Sequence, residues 1–170
     1  MGNRISQKQS NSNFYTAFLV MTALLFIFAG CKNTPEQPEI QIEDVWSRPV
    51  IVKKTTRNDD FEKNKSYTGA VYLKINNTGG QPDKLLAAKS DICEVTEIHQ
   101  TKIENGVMQM IMVEDGLEIP AKGLVEFKTG GHHIMLIGLK ESLEPGKHFE
   151  ISFHFEKSGI LTSQSKIKDN

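Results

Sequence analysis

Apolar residues between positions 40 and 157 occur in short runs separated by turn signals, and no long stretch follows the helical period of about 3.6 residues. The clearest run is Phe149–Phe155, where every second residue is apolar. Such alternation is typical of a strand with one face in a core and the other in water. The pattern predicts an all-β sandwich or barrel. The predicted strands cover residues 40–46, 67–75, 91–99, 107–113, 124–128, 133–139 and 147–155.

The segments between these strands predict turns, one loop and a tail. Strands 91–99 and 107–113 are expected to form a hairpin, because Asn105-Gly106 supplies the positive φ of a tight turn. Residues 51–66 carry mixed charge, and two interpretations stay open: a solvated loop or a partner-recognition loop. Residues 158–170 are predicted to be a polar C-terminal tail.

Residues 1–31 form a segment with different chemistry. A polar leader with Arg4 and Lys8 precedes the apolar run 17–30, which is short for a membrane span and typical of a signal-peptide core. The run ends in Phe28-Ala29-Gly30-Cys31, which resembles the bacterial lipobox, whose cysteine becomes a lipidated N-terminus. An uncleaved N-terminal anchor is the alternative.

This organisation divides the chain into four parts. They are a lipoprotein signal peptide over 1–31, a linker over 32–40, a β-sandwich domain over 41–157 and the tail over 158–170. The linker contains two prolines and is expected to tether the domain to the lipid.

Charge and cysteine content exclude several classes of protein. The chain has 20 basic and 21 acidic residues, so no basic excess indicates a nucleic-acid partner. Without Cys31, Cys93 is the one remaining cysteine, which excludes an internal disulfide. The sequence contains no Cys-x-x-Cys and no nucleophile with an evident base, so we do not expect an enzyme.

Residues 99–135 contain three of the five histidines and every methionine after residue 31. These methionines lie in two of the predicted strands: Met108, Met110 and Met112 in one, and Met135 in the other. Strand alternation places the first three on one face, and it places His133 with Met135 and apart from His132. His99 directly precedes the hairpin, so His99, the methionine face and the His133/Met135 pair can converge at one end of the sandwich.

Thioethers and imidazoles are neutral ligands of soft to borderline character. They suit Cu(I), whereas zinc favours thiolate, imidazole and carboxylate, and magnesium or calcium needs oxygen ligands. Core packing is the competing explanation for each of these residues taken singly. His148 and His154 alternate with the apolar face of 147–155 and are expected to be solvated.

The order of these residues resembles the periplasmic copper chaperones called PCu(A)C. His99, ten residues, Met110, and then His133-Ile134-Met135 match the His, Met and His-x-Met that bind Cu(I) in that family. The resemblance covers about residues 40–156. Further matching stretches are Val45-Trp46-Ser47-Arg48, Tyr72–Asn77, Pro82–Leu86, Gly106–Met110 and Ile119-Pro120-Ala121.

The resemblance implies a cupredoxin-like Greek-key β-sandwich with His99, Met110, His133 and Met135 as Cu(I) ligands, and without Met108 and Met112. It also implies delivery of copper to a partner such as the CuA centre of cytochrome c oxidase. The protein would then be lipid-anchored to a bacterial membrane and face the periplasm.

Three alternatives stay open on the sequence. The first is copper storage or scavenging without a dedicated acceptor. The second is a blue-copper electron carrier, which the position of Cys93 disfavours, because that site needs a cysteine near the final His and Met. The third is a metal-free interaction domain.

Overall fold

The computed structural model describes residues 37–53, 66–104 and 106–169, and in these ranges the regular structure consists of ten strands and no helix. The signal peptide over 1–31 with Cys31, most of the linker and loop residues 54–65 lie outside the described residues. The strands are β1 (Ile40–Ser47), β2 (Thr68–Asn77), β3 (Asp83–Lys89), β4 (Val95–Glu104), β5 (Val107–Met112), β6 (Leu117–Ile119), β7 (Gly123–Phe127), β8 (His132–Ile137), β9 (His148–Phe155) and β10 (Gly159–Ile167).

The strands form one continuous sheet in the order β5-β4-β8-β7-β2-β1-β10-β9-β3-β6, with an additional pairing of β8 and β2. Two neighbouring pairs, β1–β10 and β7–β8, are parallel, and the others are antiparallel. The all-β prediction is therefore confirmed. Strand β5 is one edge of the sheet and β6 is the other.

The inward faces of the strands enclose one apolar core. Alternate residues of β9 are buried, namely Phe149, Ile151, Phe153 and Phe155, as the alternation predicts. The same core includes Val71 of β2, Ile98 of β4 and Ile134 of β8. Because neighbouring residues of a strand point to opposite faces, the residues between them face away from this core.

The predicted polar tail over 158–170 is wrong, because residues 159–167 form strand β10. This strand pairs with β9 along its whole length and joins β1 through Trp46 and Lys166. Its inward positions include Ser165 and Ile167, which are 0% and 4% exposed. Small serines on the inner face conceal the apolar alternation by which sequence reasoning recognises a strand. The sandwich therefore extends to residue 167 and does not end at residue 157.

Two further strands, β3 and β6, were not predicted. Strand β3 has the sequence DKLLAAK, whose residues favour helix over strand, and its pairing with β9 contains an irregularity between Leu85 and Ala87. Strand β6 has only three residues. Both depend on pairing with distant segments, which local propensity does not reveal.

The predicted hairpin is confirmed, with β4 extending to Glu104 and β5 beginning at Val107. Gly106 has a φ of 77°, as the turn requires. The described ranges include no helix of the length and hydrophobicity that a bilayer crossing needs.

Candidate metal centre

Three adjacent strands bring histidines and methionines to one face of the sheet. In the β4–β8 pairing His99 lies opposite His133, and in the β4–β5 pairing it lies opposite Met112. Side chains directly opposite one another in a sheet project from the same face. Met112, His99 and His133 therefore form a row across β5, β4 and β8.

Met135 and Met110 lie on the same face, one step along their strands from this row and on opposite sides of it. Met135 is opposite Glu97 of β4 and Ala70 of β2, and Met110 is opposite Thr101. The imidazole rings of His99 and His133 have their centroids 5.8 Å apart at an interplanar angle of 61°. The structure thus assembles the four side chains predicted as ligands, His99, Met110, His133 and Met135, around one region of the sheet.

One nitrogen of His99 is held by a carboxylate, and the other is open. Nε2 lies 2.7 Å from Oε2 of Glu97, two residues earlier on the same face. Because an ionised carboxylate only accepts hydrogen bonds, Nε2 carries the proton in the neutral ring. Nδ1 then has a free lone pair, and this atom is buried without a hydrogen-bond partner among the described residues. Such a lone pair is available to a metal ion, and because Nδ1 of His132 is also buried without a partner, the shared face with His133 is what separates His99 from His132.

His133 has the same arrangement with its nitrogens exchanged. Nδ1 lies 3.3 Å from the backbone oxygen of Gly131, to which it donates, so Nε2 presents its lone pair. His133 is 7% exposed. Burial lowers the pKa of this imidazole; the Gly131 carbonyl opposes the effect, and the neighbouring His99 reinforces it. The ring is therefore held neutral, which is the form that binds metals.

A cavity of about 410 Å³ is lined by three of the four predicted ligands, and His99 is not part of its lining. Its lining includes His133 and Met135 from β8, together with Met108 and Met110 from β5. Sequence reasoning did not place Met108 in the ligand set, and the cavity puts it beside three members of that set. The signal was present in the alternation of β5, which assigned Met108 and Met110 to one face.

The wall of the cavity also includes Arg48 and Tyr72. The guanidinium carbon of Arg48 lies 5.9 Å from the centroid of the Tyr72 ring, and Nη2 donates to Oγ1 of Thr129 at 3.1 Å. The centroid of the Trp46 ring lies 4.7 Å from that of the Tyr72 ring. These contacts fix the wall independently of the methionines.

Histidines, cysteines and carboxylates alone do not make a metal site here. Within residues 37–53, 66–104 and 106–169, no group of three such side chains could hold a metal ion. A site built on His99 and His133 therefore needs thioethers to complete its protein ligands. That donor set is neutral and soft, which matches Cu(I) better than Zn²⁺, Mg²⁺ or Ca²⁺.

His132 lies on the opposite face, as strand parity predicts. Its ring centroid is 5.9 Å from that of Phe127, a core residue. Burial lowers its pKa, and the adjacent His133 adds to the effect. Its side chain therefore belongs with the apolar interior and not with the His133/Met135 pair.

The remaining histidines and the described cysteine lie away from this region. On β9, His148 is exposed and His154 is half-buried, both on the outer side of the strand, away from its core face. Cys93 is 3% exposed within the core, and burial raises the pKa of its thiol. Strand β4 begins at Val95, so Cys93 precedes the strand. A buried thiol of raised pKa is a poor nucleophile, so its position indicates packing.

Comparison with known sequences identifies a family. A family model described as "Putative lipoprotein LpqE-like" matches residues 40–167. An uncharacterized protein of Rickettsia prowazekii, RP573, is 31% identical over 122 residues, which are 72% of this chain and 62% of that protein. The matched segment therefore spans about six tenths of this relative.

Comparison with solved structures identifies the fold. The copper-bound PCuAC domain from PmoF2 has a TM-score of 0.58 at 20% identity, and the match covers 79% of this chain and 98% of that domain. The solution structure of Cu(I)-DR1885 from Deinococcus radiodurans has a TM-score of 0.53 at 26% identity, with 84% of each chain covered. The predicted cupredoxin-like β-sandwich is thereby confirmed. The chain belongs to the LpqE-like lipoprotein family, and its domain is of the PCuAC type.

Proposed function

We propose that this protein binds Cu(I) outside the cytoplasm and passes the ion to a partner, with His99, Met110, His133 and Met135 as the ligands. The observation that carries the proposal is the hydrogen bonding of the two histidine rings. Each ring has one nitrogen beside an internal acceptor, Glu97 or Gly131, and the other nitrogen open. Carboxylate and backbone oxygens orient metal-bound histidines in this way.

The thioether ligands favour Cu(I) over Cu(II). Cu(I) accepts few ligands and favours soft donors, whereas Cu(II) favours nitrogen and oxygen in tetragonal geometry. A thioether carries no proton near neutral pH, so copper binds to it without proton release. Two of the similar structures are described as copper-bound, and one of these as the Cu(I) form, which agrees with this choice.

Delivery, in preference to storage, is supported by the exposure of one ligand. Met110 is 61% exposed on edge strand β5, while His133 on the inner strand is 7% exposed. An incoming ligand from a partner can replace an exposed thioether while the buried imidazole still holds the ion. We infer that the acceptor is the CuA centre of cytochrome c oxidase, to which the family resemblance points.

The protein is proposed to act at a membrane surface. The family is described as a lipoprotein family, which agrees with export and a lipid anchor. We assign the anchor to Cys31 at the end of the apolar run, with the linker from residue 32 joining it to β1 at Ile40. The domain would then face the periplasm from a bacterial membrane. Binding and transfer, without catalysis, complete the proposal.

A transfer experiment tests the proposal. The Cu(I)-loaded domain is mixed with the apo CuA domain of an oxidase, the two proteins are separated, and copper is measured in each. We expect most of the copper to move to the CuA domain. If the loaded protein binds tightly and keeps its copper, the delivery function is wrong and storage is favoured. If it binds no Cu(I) in competition with a chromophoric chelator, the metal site itself is wrong.

The position of His132 gives a second prediction. Replacing His132 with alanine should change Cu(I) affinity by less than about threefold, because the ring packs against Phe127 and not toward Met135. The same substitution at His133 should weaken binding by about tenfold or more. Competition with bicinchoninate measures both. If the His132 substitution lowers Cu(I) affinity more than the His133 substitution does, then His132 is the ligand and His133 is not.

A further inference from the structure

Strand β5 exposes more sulfur than the proposed ligand set uses. Met108 is 63% exposed, Met110 is 61% exposed and Met112 is 43% exposed. The most deeply buried core residues of the same domain, such as Phe153 and Leu73, are 0–1% exposed. These methionines therefore do not serve as core filling. They project from one face of an edge strand, at steps of about 7 Å between alternate residues.

The two methionines outside the ligand set have specific neighbours. Met108 lines the cavity together with Met110, His133 and Met135. Met112 is directly opposite His99 in the β4–β5 pairing. One surplus thioether thus lies beside the β8 ligands, and the other lies beside the β4 ligand. Methionine has three rotatable side-chain bonds, so either sulfur can move over several ångströms without backbone motion.

We propose that Met108 and Met112 are auxiliary Cu(I) donors that carry the ion between its site and an incoming ligand. The inference rests on the proposed Cu(I) function and adds to it two residues that the family's ligand pattern omits. When Cu(I) leaves, a Cu–S bond to an auxiliary methionine forms as the bond to Met110 breaks. Copper stays Cu(I) and no proton moves, because thioethers are neutral. This exchange keeps the number of protein donors constant, and bonds to the incoming ligand then replace the remaining Cu–protein bonds.

In this arrangement, different residues determine the rate of Cu(I) exchange and the affinity for Cu(I). The histidines hold the bound ion and set most of the affinity, since their orientation is fixed by Glu97 and Gly131. The auxiliary thioethers are exposed and mobile, so they lower the barrier to ligand exchange more than they stabilise the bound state. Removing them should slow loading and release while leaving the affinity nearly constant.

The test replaces Met108 and Met112 together with leucine and retains Met110. Leucine is close in size to methionine and the positions are exposed, so the fold should be retained. Cu(I) removal by excess bicinchoninate is followed by stopped-flow absorbance, and affinity is measured by competition at equilibrium. We expect the removal rate to fall about tenfold and the affinity to change less than about threefold.

A matched control lies on the other face of the same strand. Val107→Leu with Ile111→Leu changes two exposed apolar residues of β5 that alternate with the methionines, and it should leave both the rate and the affinity at wild-type values. A third variant, Met108→Leu/Met110→Leu/Met112→Leu, should weaken binding by about tenfold more than Met110→Leu alone, because no thioether on β5 can then substitute.

The outcomes distinguish this proposal from the function on which it rests. If the wild-type protein binds Cu(I) and the Met108/Met112 variant releases it at the wild-type rate, the auxiliary donors are refuted and the carrier function stands. The same conclusion follows if the affinity of the triple variant equals that of Met110→Leu. If the wild-type protein binds no Cu(I), both proposals fail.

Discussion

Replacing His99 and His133 together with alanine should lower the Cu(I) affinity of the domain by about a hundredfold or more, since loss of each oriented imidazole costs at least about tenfold. The two rings provide the only proposed ligands that are not thioethers. Their open nitrogens are Nδ1 of His99 and Nε2 of His133, because Glu97 and Gly131 engage the others. The methionines of β5 are exposed, and thioethers alone should not hold the ion as firmly.

The chain offers a matched control for this double variant. Replacing His148 and His154 with alanine also removes two imidazoles, but from the outer side of β9, away from the candidate site. Its affinity should equal that of the wild type in the same chelator competition. If the two double variants lose affinity equally, copper binds through histidines generally, and the site assigned to β4, β5 and β8 is wrong.

Replacing Asp83 with asparagine should lower the free energy of unfolding by about 3 kcal/mol, because a buried carboxylate loses charge-assisted hydrogen bonds. Asp83 is 2% exposed. Oδ1 accepts from the backbone nitrogens of Lys84 at 2.7 Å and Lys157 at 2.9 Å, and Oδ2 accepts from that of Ser158 at 2.9 Å. An asparagine amide would direct N–H groups at one of these donors.

The same contacts give the sign of the pH dependence. Burial alone would raise the pKa of Asp83, but the hydrogen bonds from Ser158, Lys157 and Lys84 outweigh it and hold the pKa below the ordinary value of 3.8. The stabilisation is therefore fully present above that value and is lost as the pH falls through the lower pKa of the folded state. Thermal unfolding of the wild type and the variant between pH 7 and pH 2 should show a difference that shrinks toward the acidic end.

Asp44 provides the control for this stability prediction. It forms an ion pair with Lys74 at 3.0 Å, but its side chain is 64% exposed, so water replaces the contact easily. Asparagine also tolerates the positive φ of 52° at this position. Asp44→Asn should therefore shift the melting temperature far less than Asp83→Asn. Equal shifts in melting temperature would show that the hydrogen bonds from Lys157 and Ser158, which lie between β9 and β10, to Asp83 do not stabilise the fold.

Much of the fold could be predicted because strand alternation is a local property of the sequence. The run from Phe149 to Phe155 identifies its own inner face, and the prediction that His132 and His133 point to opposite sides follows from parity alone. Strand β10 could not be identified in this way, because its inner face includes Ser165. Its burial depends also on pairing with β1, which lies far away in the chain.

The candidate site, like the fold, could be predicted only in part from the sequence. Residue types and spacing indicated a soft metal near His99, the methionines of β5 and the His133/Met135 pair, and the family resemblance singled out Met110 among those methionines. Only the tertiary structure decided that Met108 enters the cavity, that Met112 lies opposite His99, and which nitrogen of each ring is open. Side-chain periodicity is fixed within a strand, whereas register, cavity shape and the partners of a ring nitrogen arise from contacts between strands.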